Sequence, residues 1–324
     1  MNTAAPSRLV PLVLLTLLIL GCGREAADPA QGQAPIAVAA THAVTDAADR
    51  VVEVPIAPQR VVVLSELDLD TLLALGLKPV GATDGRGSNR PPAYLGPRVE
   101  GVQSVGNFAQ PSVDRIVVLQ PDLIIAGGHP DPQLLEQLQQ LAPTVISFKP
   151  GESWQDSLGR IAMMVGRADA ATQVLADYQR RADALREQLK AHAGETVSIV
   201  RLSPNGPMYM LGDAFAGRVL DDLGFARPPA QQAPGAGHAP PLSREVLADI
   251  DGDWLFIGNF TPDPEGVNAL RDEPAFAELR AARHQQVREV DAMQWTVIGG
   301  PLAAHAVLDD IEAAMLKPRV APPA

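Results

Sequence analysis

Arginine side chains within and just after apolar runs are the residues of this 324-residue chain best suited to bind a ligand. Arg201 stands between Val200 and Leu202, where a guanidinium is costly to bury unless an anion or a structural carboxylate meets it. Arg86 and Arg90 lie in a glycine-containing loop that follows another apolar run. The pattern predicts contact with an anionic ligand, with a structural ion pair as the alternative for Arg201.

Other polar and aromatic residues follow predicted strands and are further candidates for ligand binding. Ser65 and Glu66 come directly after the first apolar run, and His129 follows two glycines after a later run. Since α/β sheets bind ligands beyond the carboxyl ends of their strands, these positions favour a site, although His129 could be a solvated loop residue. Tyr209 lies in a predicted hairpin strand, and Trp295 is either a binding wall or a cover for the core.

Signatures of catalysis and of metal binding are missing from the sequence. The chain has no G-x-S-x-G elbow, no phosphate-binding loop and no H-E-x-x-H motif. Its single cysteine excludes a histidine–thiolate metal cluster, and its six histidines are scattered. A net charge of −12 argues against nucleic-acid binding, which needs a basic surface. We therefore expect a binding protein with no catalytic residues, no metal ligands and no resident cofactor.

The elements that must position these residues are short strands alternating with helices. Predicted strands occupy 60–64, 79–82, 123–126 and 144–147, and the pattern restarts at 197–202, 254–257 and 286–290. Continuous apolar strands separated by helices are typical of mostly parallel sheets covered on both faces.

A long helical region connects the two groups of strands. Gly166 divides it, and the segment 168–190 would form a helix of roughly 35 Å, which suits a strut between two lobes. The sequence thus predicts an α/β fold of two lobes joined by one long helix. The predicted divisions are an N-terminal lobe at 49–150, the helical region at 151–193, a C-terminal lobe at 194–318 and a tail at 319–324.

The first residues predict export and attachment to a membrane. Residues 1–21 combine a positive charge at Arg8 with an apolar stretch too short to span a bilayer, which is typical of a secretory signal peptide. Ile19-Leu20-Gly21-Cys22 resembles the bacterial lipobox, in which the cysteine receives a lipid. An ordinary signal peptide with a coincidental cysteine is the alternative. Residues 22–48 are rich in Ala, Pro, Gly and Gln and predict a flexible tether.

Several short stretches, taken in order and spacing, point to a known family. They are VVEVP (51–55), PQRVV (58–62), LLALG (72–76), PVG (79–81), QPDLII (120–125), FAG (215–217), DLG (222–224), SRE (243–245) and Trp295. Together they resemble the iron-siderophore substrate-binding lipoproteins of bacterial ABC importers, over essentially the whole mature length. That resemblance implies a helical-backbone (class III) periplasmic binding protein with a ligand cleft between two rigid lobes and a small closing motion.

The resemblance also assigns roles to individual residues. Arg201 matches a cleft arginine that contacts the negatively charged ferric chelate, and Trp295 matches a cleft tryptophan. Asp114 and Glu245 match a pair of acids that dock onto arginines of the membrane permease, although relatives often carry Glu in the first position. A helix-capping role is the alternative for both acids.

The implied function is that of a monomeric receptor in the periplasm or at the cell surface. It would bind a ferric siderophore and deliver it to permease and ATPase subunits, with a ferric citrate-like chelate favoured by several arginines and few aromatics. Cobalamin or haem binding on the same fold is the alternative, and a periplasmic enzyme on this scaffold is a weaker one.

Overall fold

Two α/β lobes make up the computed structural model, which describes residues 40–316 apart from 129, 204, 244–246 and 261–264. A six-stranded sheet forms the first lobe, a four-stranded sheet forms the second, and a two-stranded hairpin precedes both. Among these residues, no helix combines the length and apolar character needed to cross a bilayer. The predicted fold class of two lobes joined by a long helix is confirmed.

The hairpin consists of β1 (Thr41–Thr45) and β2 (Val51–Pro55), which pair antiparallel. Val44 and Val54 are buried against the core of the first lobe. The carboxylate of Asp46 closes the turn by accepting the backbone N–H of Arg50 at 3.0 Å, and it also accepts the N–H of Ile146 at 3.1 Å. The predicted extent of the tether, to residue 48, is therefore wrong, because pairing and burial order the chain from residue 41.

Parallel pairing dominates the sheet of the first lobe, and its two central apolar strands, at Val61–Val63 and Leu123–Ile125, are buried on both faces. The order is β6-β5-β4-β3-β7-β8, and only β6 runs antiparallel to its neighbour. Its strands are β3 (Val61–Val63), β4 (Gly81–Asp84), β5 (Gln103–Asn107), β6 (Gln110–Pro111), β7 (Leu123–Ile125) and β8 (Thr144–Val145). Its helices are α1 (Glu66–Ala74), α2 (Val113–Val118) and α3 (Pro132–Gln139), with a 3-10 segment at Ala93–Val99.

Two helices, α4 (Trp154–Met164) and α5 (Ala168–Gln188), connect the lobes. Gly166 separates them at φ +66°, where a side chain would be strained. The 21 residues of α5 span roughly 32 Å, close to the predicted strut.

The second lobe has the strand order β10-β9-β11-β12, with only the β9–β10 hairpin antiparallel. Its strands are β9 (Val197–Ser203), β10 (Gly206–Tyr209), β11 (Trp254–Asn259) and β12 (Val287–Asp291). Its helices are α6 (Phe215–Asp222), α7 (Glu265–Arg271), α8 (Pro274–Ala277), α9 (Arg280–Arg283), α10 (Ala292–Trp295) and α11 (Pro301–Met315).

The lobes share more than the connecting helix. One apolar cluster contains Leu72 of α1, Leu185 of α5, Phe256 of β11 and Leu308 of α11. Helix α11 packs against α1, α5 and α6, so it bridges the two lobes beside α5. Because this apolar core is continuous between the two lobes, it resists large opening and closing motions of one lobe against the other.

Candidate ligand-binding cleft

Arg201 occupies the carboxyl-terminal part of β9, on the same face of the sheet as buried Ile199. Its guanidinium carbon lies 4.6 Å from the centre of the Phe260 ring. The buried Nε atom has no hydrogen-bond partner within the described part of the chain. Burial is the main cause that lowers the pKa of Arg201, and the positive charge of Arg86 lowers it further. A cation held this way has unused donors, as an anion-binding group requires.

Arg86 approaches the same space from the first lobe. It follows β4, and its guanidinium carbon lies 4.1 Å from the centre of the Phe108 ring. Oε1 of Glu66 accepts the backbone N–H of Arg86 at 3.0 Å and lies 3.5 Å from its Nε. Each lobe therefore contributes one arginine that is stacked on a phenylalanine.

A cavity of about 260 Å³ lies between the lobes and contains both arginines in its lining. A second cavity of about 430 Å³ extends into the first lobe and shares Arg86 and Phe148 with it. Side chains lining the inter-lobe cavity include Arg86, Phe148, Trp154, Arg201, Arg218 and His238. The carboxylates of Glu152 and Asp213 also line this cavity, and they form ion pairs with Arg160 and Arg218. The arginines and aromatic rings of the lining can hold an anionic molecule by charge and by shape.

Arg218 and His238 are cleft residues that the sequence analysis missed. Arg218 extends from α6 of the second lobe and donates to the carbonyl of Gly151 at 2.9 Å, beside the connecting helices. Nδ1 of His238 lies 3.0 Å from the carbonyl of Ala239, which fixes one side of the ring. His238 lies in a proline-rich loop without periodicity, so only tertiary structure could have placed it.

Ser65 and Glu66 lie behind the cleft surface, so their predicted ligand contacts need correction. Ser65 is 2% exposed, and its hydroxyl accepts the backbone N–H of Asp68 as the cap of α1. Glu66 is 3% exposed, and burial raises its pKa while Arg86 opposes that shift. Both residues follow β3 as predicted, but the helix that starts there turns them inward, where Glu66 supports Arg86.

Trp295 lies in the core, which is one of the two alternatives that its sequence leaves open, and the cleft position implied by the family resemblance is wrong in this structure. The side chain is fully buried in α10 and stacks on Phe256 with ring centres 4.5 Å apart. Its Nε1 donates to the carboxylate of Asp310 at 2.8 Å. The reason is local, because Asp291 caps α10 directly after β12 and the chain turns inward before the cleft lining begins at Thr296.

Tyr209 and Arg90 also lie away from the cavity. Tyr209 pairs with Val200 across the β9–β10 hairpin and packs with it against an apolar cluster on the face opposite Arg201. Arg90 is exposed at the outer end of its loop, where its backbone N–H donates to Ser88, and it lines neither of the two cavities.

The remaining predicted residues lie on the surface or outside the described part of the chain. Asp114 is exposed in the first turn of α2, which Ser112 caps. His129, Glu245 and Cys22 fall outside the described residues. Within the described ranges, no three His, Cys, Asp or Glu side chains come close enough to hold a metal ion.

Comparisons with known proteins identify the family of the chain and its fold. The sequence profile of the family described as periplasmic binding protein matches residues 61–293. The chain is 34% identical to the probable siderophore-binding lipoprotein YfiY of Bacillus subtilis, covering 82% of this chain and 84% of that protein. It is 33% identical to the achromobactin-binding periplasmic protein of Dickeya dadantii, covering 78% and 85%.

A solved structure shows the same fold. The crystal structure of Staphylococcus aureus SirA complexed with staphyloferrin B superimposes with a TM-score of 0.74 at 23% identity, covering 85% of this chain and 98% of that one.

Proposed function

The chain belongs to the periplasmic binding protein family, and we propose that it is an extracytoplasmic receptor for an anionic ferric siderophore. The receptor binds the chelate between its two lobes and delivers it to the permease of an ABC importer. The family consists of substrate-binding proteins, and we propose that this member carries out no catalysis and that the ferric chelate is its cargo. The observation that carries the proposal is that Arg86 of the first lobe and Arg201 of the second lobe line the same inter-lobe cavity.

The electrostatics of the cleft favour a ligand with more than one negative group. Arg86 and Arg201 repel each other, and Arg201 has no carboxylate partner within the described residues. An anion between them removes this repulsion and forms charge-assisted hydrogen bonds with both groups. Since a phenylalanine covers one face of each guanidinium, the N–H edges are the parts best placed to bind, and these match carboxylate geometry. A ferric citrate-like chelate is therefore the proposed ligand.

Two rival ligands, cobalamin and haem, make different demands on the cleft. Cobalamin is neutral overall and would leave the two guanidinium groups without counter-charges. Haem needs an axial ligand, and His238 is the histidine in the lining of the inter-lobe cavity. Both rivals predict a coloured protein as isolated, whereas a receptor for ferric citrate should be colourless until iron is added.

Delivery of the chelate requires contact with the permease, and we propose Asp114 and Glu245 as the acids that make it. Asp114 is exposed on α2, with the exposed side chains of Val117 and Val118 three and four residues further on the same helical face. An acid beside apolar side chains can form an ion pair and bury adjacent surface. Asp114→Asn should reduce iron uptake in cells while chelate affinity is unchanged, and unchanged uptake would remove Asp114 from the contact.

The proposed anchor for this receptor is a lipid on Cys22, which would hold it on the outer side of the membrane near the permease. The segment between Cys22 and β1 is long enough to leave the two lobes free to meet their partner. We propose that the receptor acts as a monomer.

Native mass spectrometry of the protein as isolated, followed by a panel of chelates, tests the proposed function. The panel is ferric citrate, a ferric catecholate, a ferric hydroxamate, cobalamin and haem. We expect one ferric citrate per chain and no complex with cobalamin. Preferential binding of haem or cobalamin, or no binding of any ferric chelate, would contradict the proposal.

A further inference from the structure

Asp70 of α1 forms a buried connection between the lobes. Its side chain is fully buried, and its two oxygens accept the backbone N–H groups of Leu302 and Ala303, each at 2.8 Å. These amides belong to the first turn of α11, which follows the last strand of the second lobe. Asp70 therefore connects α1 of the first lobe to the first turn of α11.

The fit at this contact is close. A Cβ atom on Gly300 would lie 2.6 Å from Oδ1 of Asp70, so only glycine permits the carboxylate to approach the start of α11. A Cβ atom on Gly299 would lie 2.7 Å from the side chain of Ala303 and 2.8 Å from the ring of Phe215. The segment before α11 thus has little freedom to shift once Asp70 holds the first turn.

That segment forms part of the cleft. Residues 296–299 line the inter-lobe cavity, together with Arg201, and they lead directly into α11. We propose that Asp70 is a positioning residue for ligand binding. It holds α11 at its first turn and thereby sets the position of residues 296–299 relative to the first lobe. It touches no ligand itself.

The chemistry of the contact requires a carboxylate. The first amides of a helix have no partner within the helix, and the helix dipole favours a negative group beside them. An asparagine would offer one acceptor and turn its NH₂ group toward the second amide, so two donors would face each other. An apolar residue would leave both amides unsatisfied in the core.

Asp122 provides a matched control. Its carboxylate also accepts two backbone N–H groups, those of Gln59 and Arg60, at 2.7 and 2.9 Å. These contacts lie within the first lobe, at the amino-terminal ends of β3 and β7, away from the cleft. Asp122→Asn therefore weakens a carboxylate–amide contact of the same geometry, at a more exposed position, without affecting the connection between lobes.

The test compares Asp70→Asn, Asp122→Asn and the unaltered protein by site-resolved amide exchange and by titration with ferric citrate. Asp70→Asn should speed exchange at Leu302 and Ala303 by tenfold or more and weaken chelate binding by roughly tenfold. Asp122→Asn should leave both measurements unchanged, even if it lowers overall stability. Unchanged exchange and affinity in Asp70→Asn, or an equal loss of affinity in Asp122→Asn, would overturn the proposal.

The affinity measurement rests on the proposed function, whereas the exchange measurement does not. If the unaltered protein binds no ferric chelate, the proposed function fails, and amide exchange at Leu302 and Ala303 still decides the role of Asp70 in holding α11. If Asp70→Asn does not fold, the unaltered protein remains informative. First-turn amides normally exchange rapidly, so slow exchange at Leu302 and Ala303 supports the contact and rapid exchange overturns it.

Discussion

Replacing Arg201 by alanine should weaken chelate binding more than any other single change in the second lobe. The side chain is partly buried, its Nε lacks a partner within the described residues, and its ring contact with Phe260 fixes its position. Removing one partner of a desolvated charge pair costs about 2 to 5 kcal/mol. Because Arg201 is only partly buried, we take the lower end, about 2 kcal/mol, which corresponds to a roughly thirtyfold rise in Kd.

Two further variants, Arg201→Lys and Arg98→Ala, are compared with Arg201→Ala. Lysine keeps the charge but loses the planar group that stacks on Phe260 and the fork that matches a carboxylate, so we expect an intermediate loss. Arg98 is exposed in the segment Ala93–Val99, and its replacement should have no effect. The assay is isothermal titration with ferric citrate at two salt concentrations.

Affinity of the unaltered protein should fall as salt rises, since screening weakens the attraction between the cleft and the anion. Arg201→Ala should show a smaller salt dependence because one charge is missing. Equal affinities for the unaltered protein and Arg201→Ala would refute the assignment of Arg201 to the site.

Two further predictions concern the buried polar groups. Burial raises the pKa of Asp68 to about 7 and that of Asp70 to about 6, against about 3.9 in an unfolded chain, so the folded state binds more protons in this window. The contribution of these two groups to the free energy of unfolding should therefore fall as pH rises from about 4 to about 7. In urea titrations over this range, the free energy of unfolding of Asp68→Asn should gain relative to that of the unaltered protein as pH rises; a constant difference between the two proteins would contradict the assignment. Trp295→Phe loses the hydrogen bond to Asp310 and should destabilise the protein by about 1 to 3 kcal/mol with chelate affinity unchanged, and a large loss of affinity at full stability would return Trp295 to the site.

Elements with strong local signals could be predicted from the sequence. Helix α11, Pro301–Met315, is an example, because a proline favours the first helical position and the apolar period continues to its end. The place of Arg201 within a strand also follows from its apolar neighbours. The hairpin of β1 and β2 was missed because its strands are short and mostly exposed, with Val44 and Val54 as the buried residues that tie it to the core.

The composition of the cleft depends on tertiary contacts that local patterns do not carry. Trp295 and Tyr209 have residue types suited to a binding wall, yet the turn after β12 and the pleat of β10 direct them into apolar clusters. Phe108 and Phe260 are distant in sequence, and each holds the guanidinium of a cleft arginine over its ring. Local patterns also give no sign of the Asp70 contact, because its partners lie more than 230 residues away along the sequence.

A crystal structure of the protein with ferric citrate tests the central claim most directly. We expect the chelate in the cavity between the lobes, with carboxylate oxygens about 3 Å from the guanidinium nitrogens of both Arg86 and Arg201. A chelate bound elsewhere, for example in the groove beside His42 and Met163, or bound in the cleft without contact to either arginine, would contradict this account.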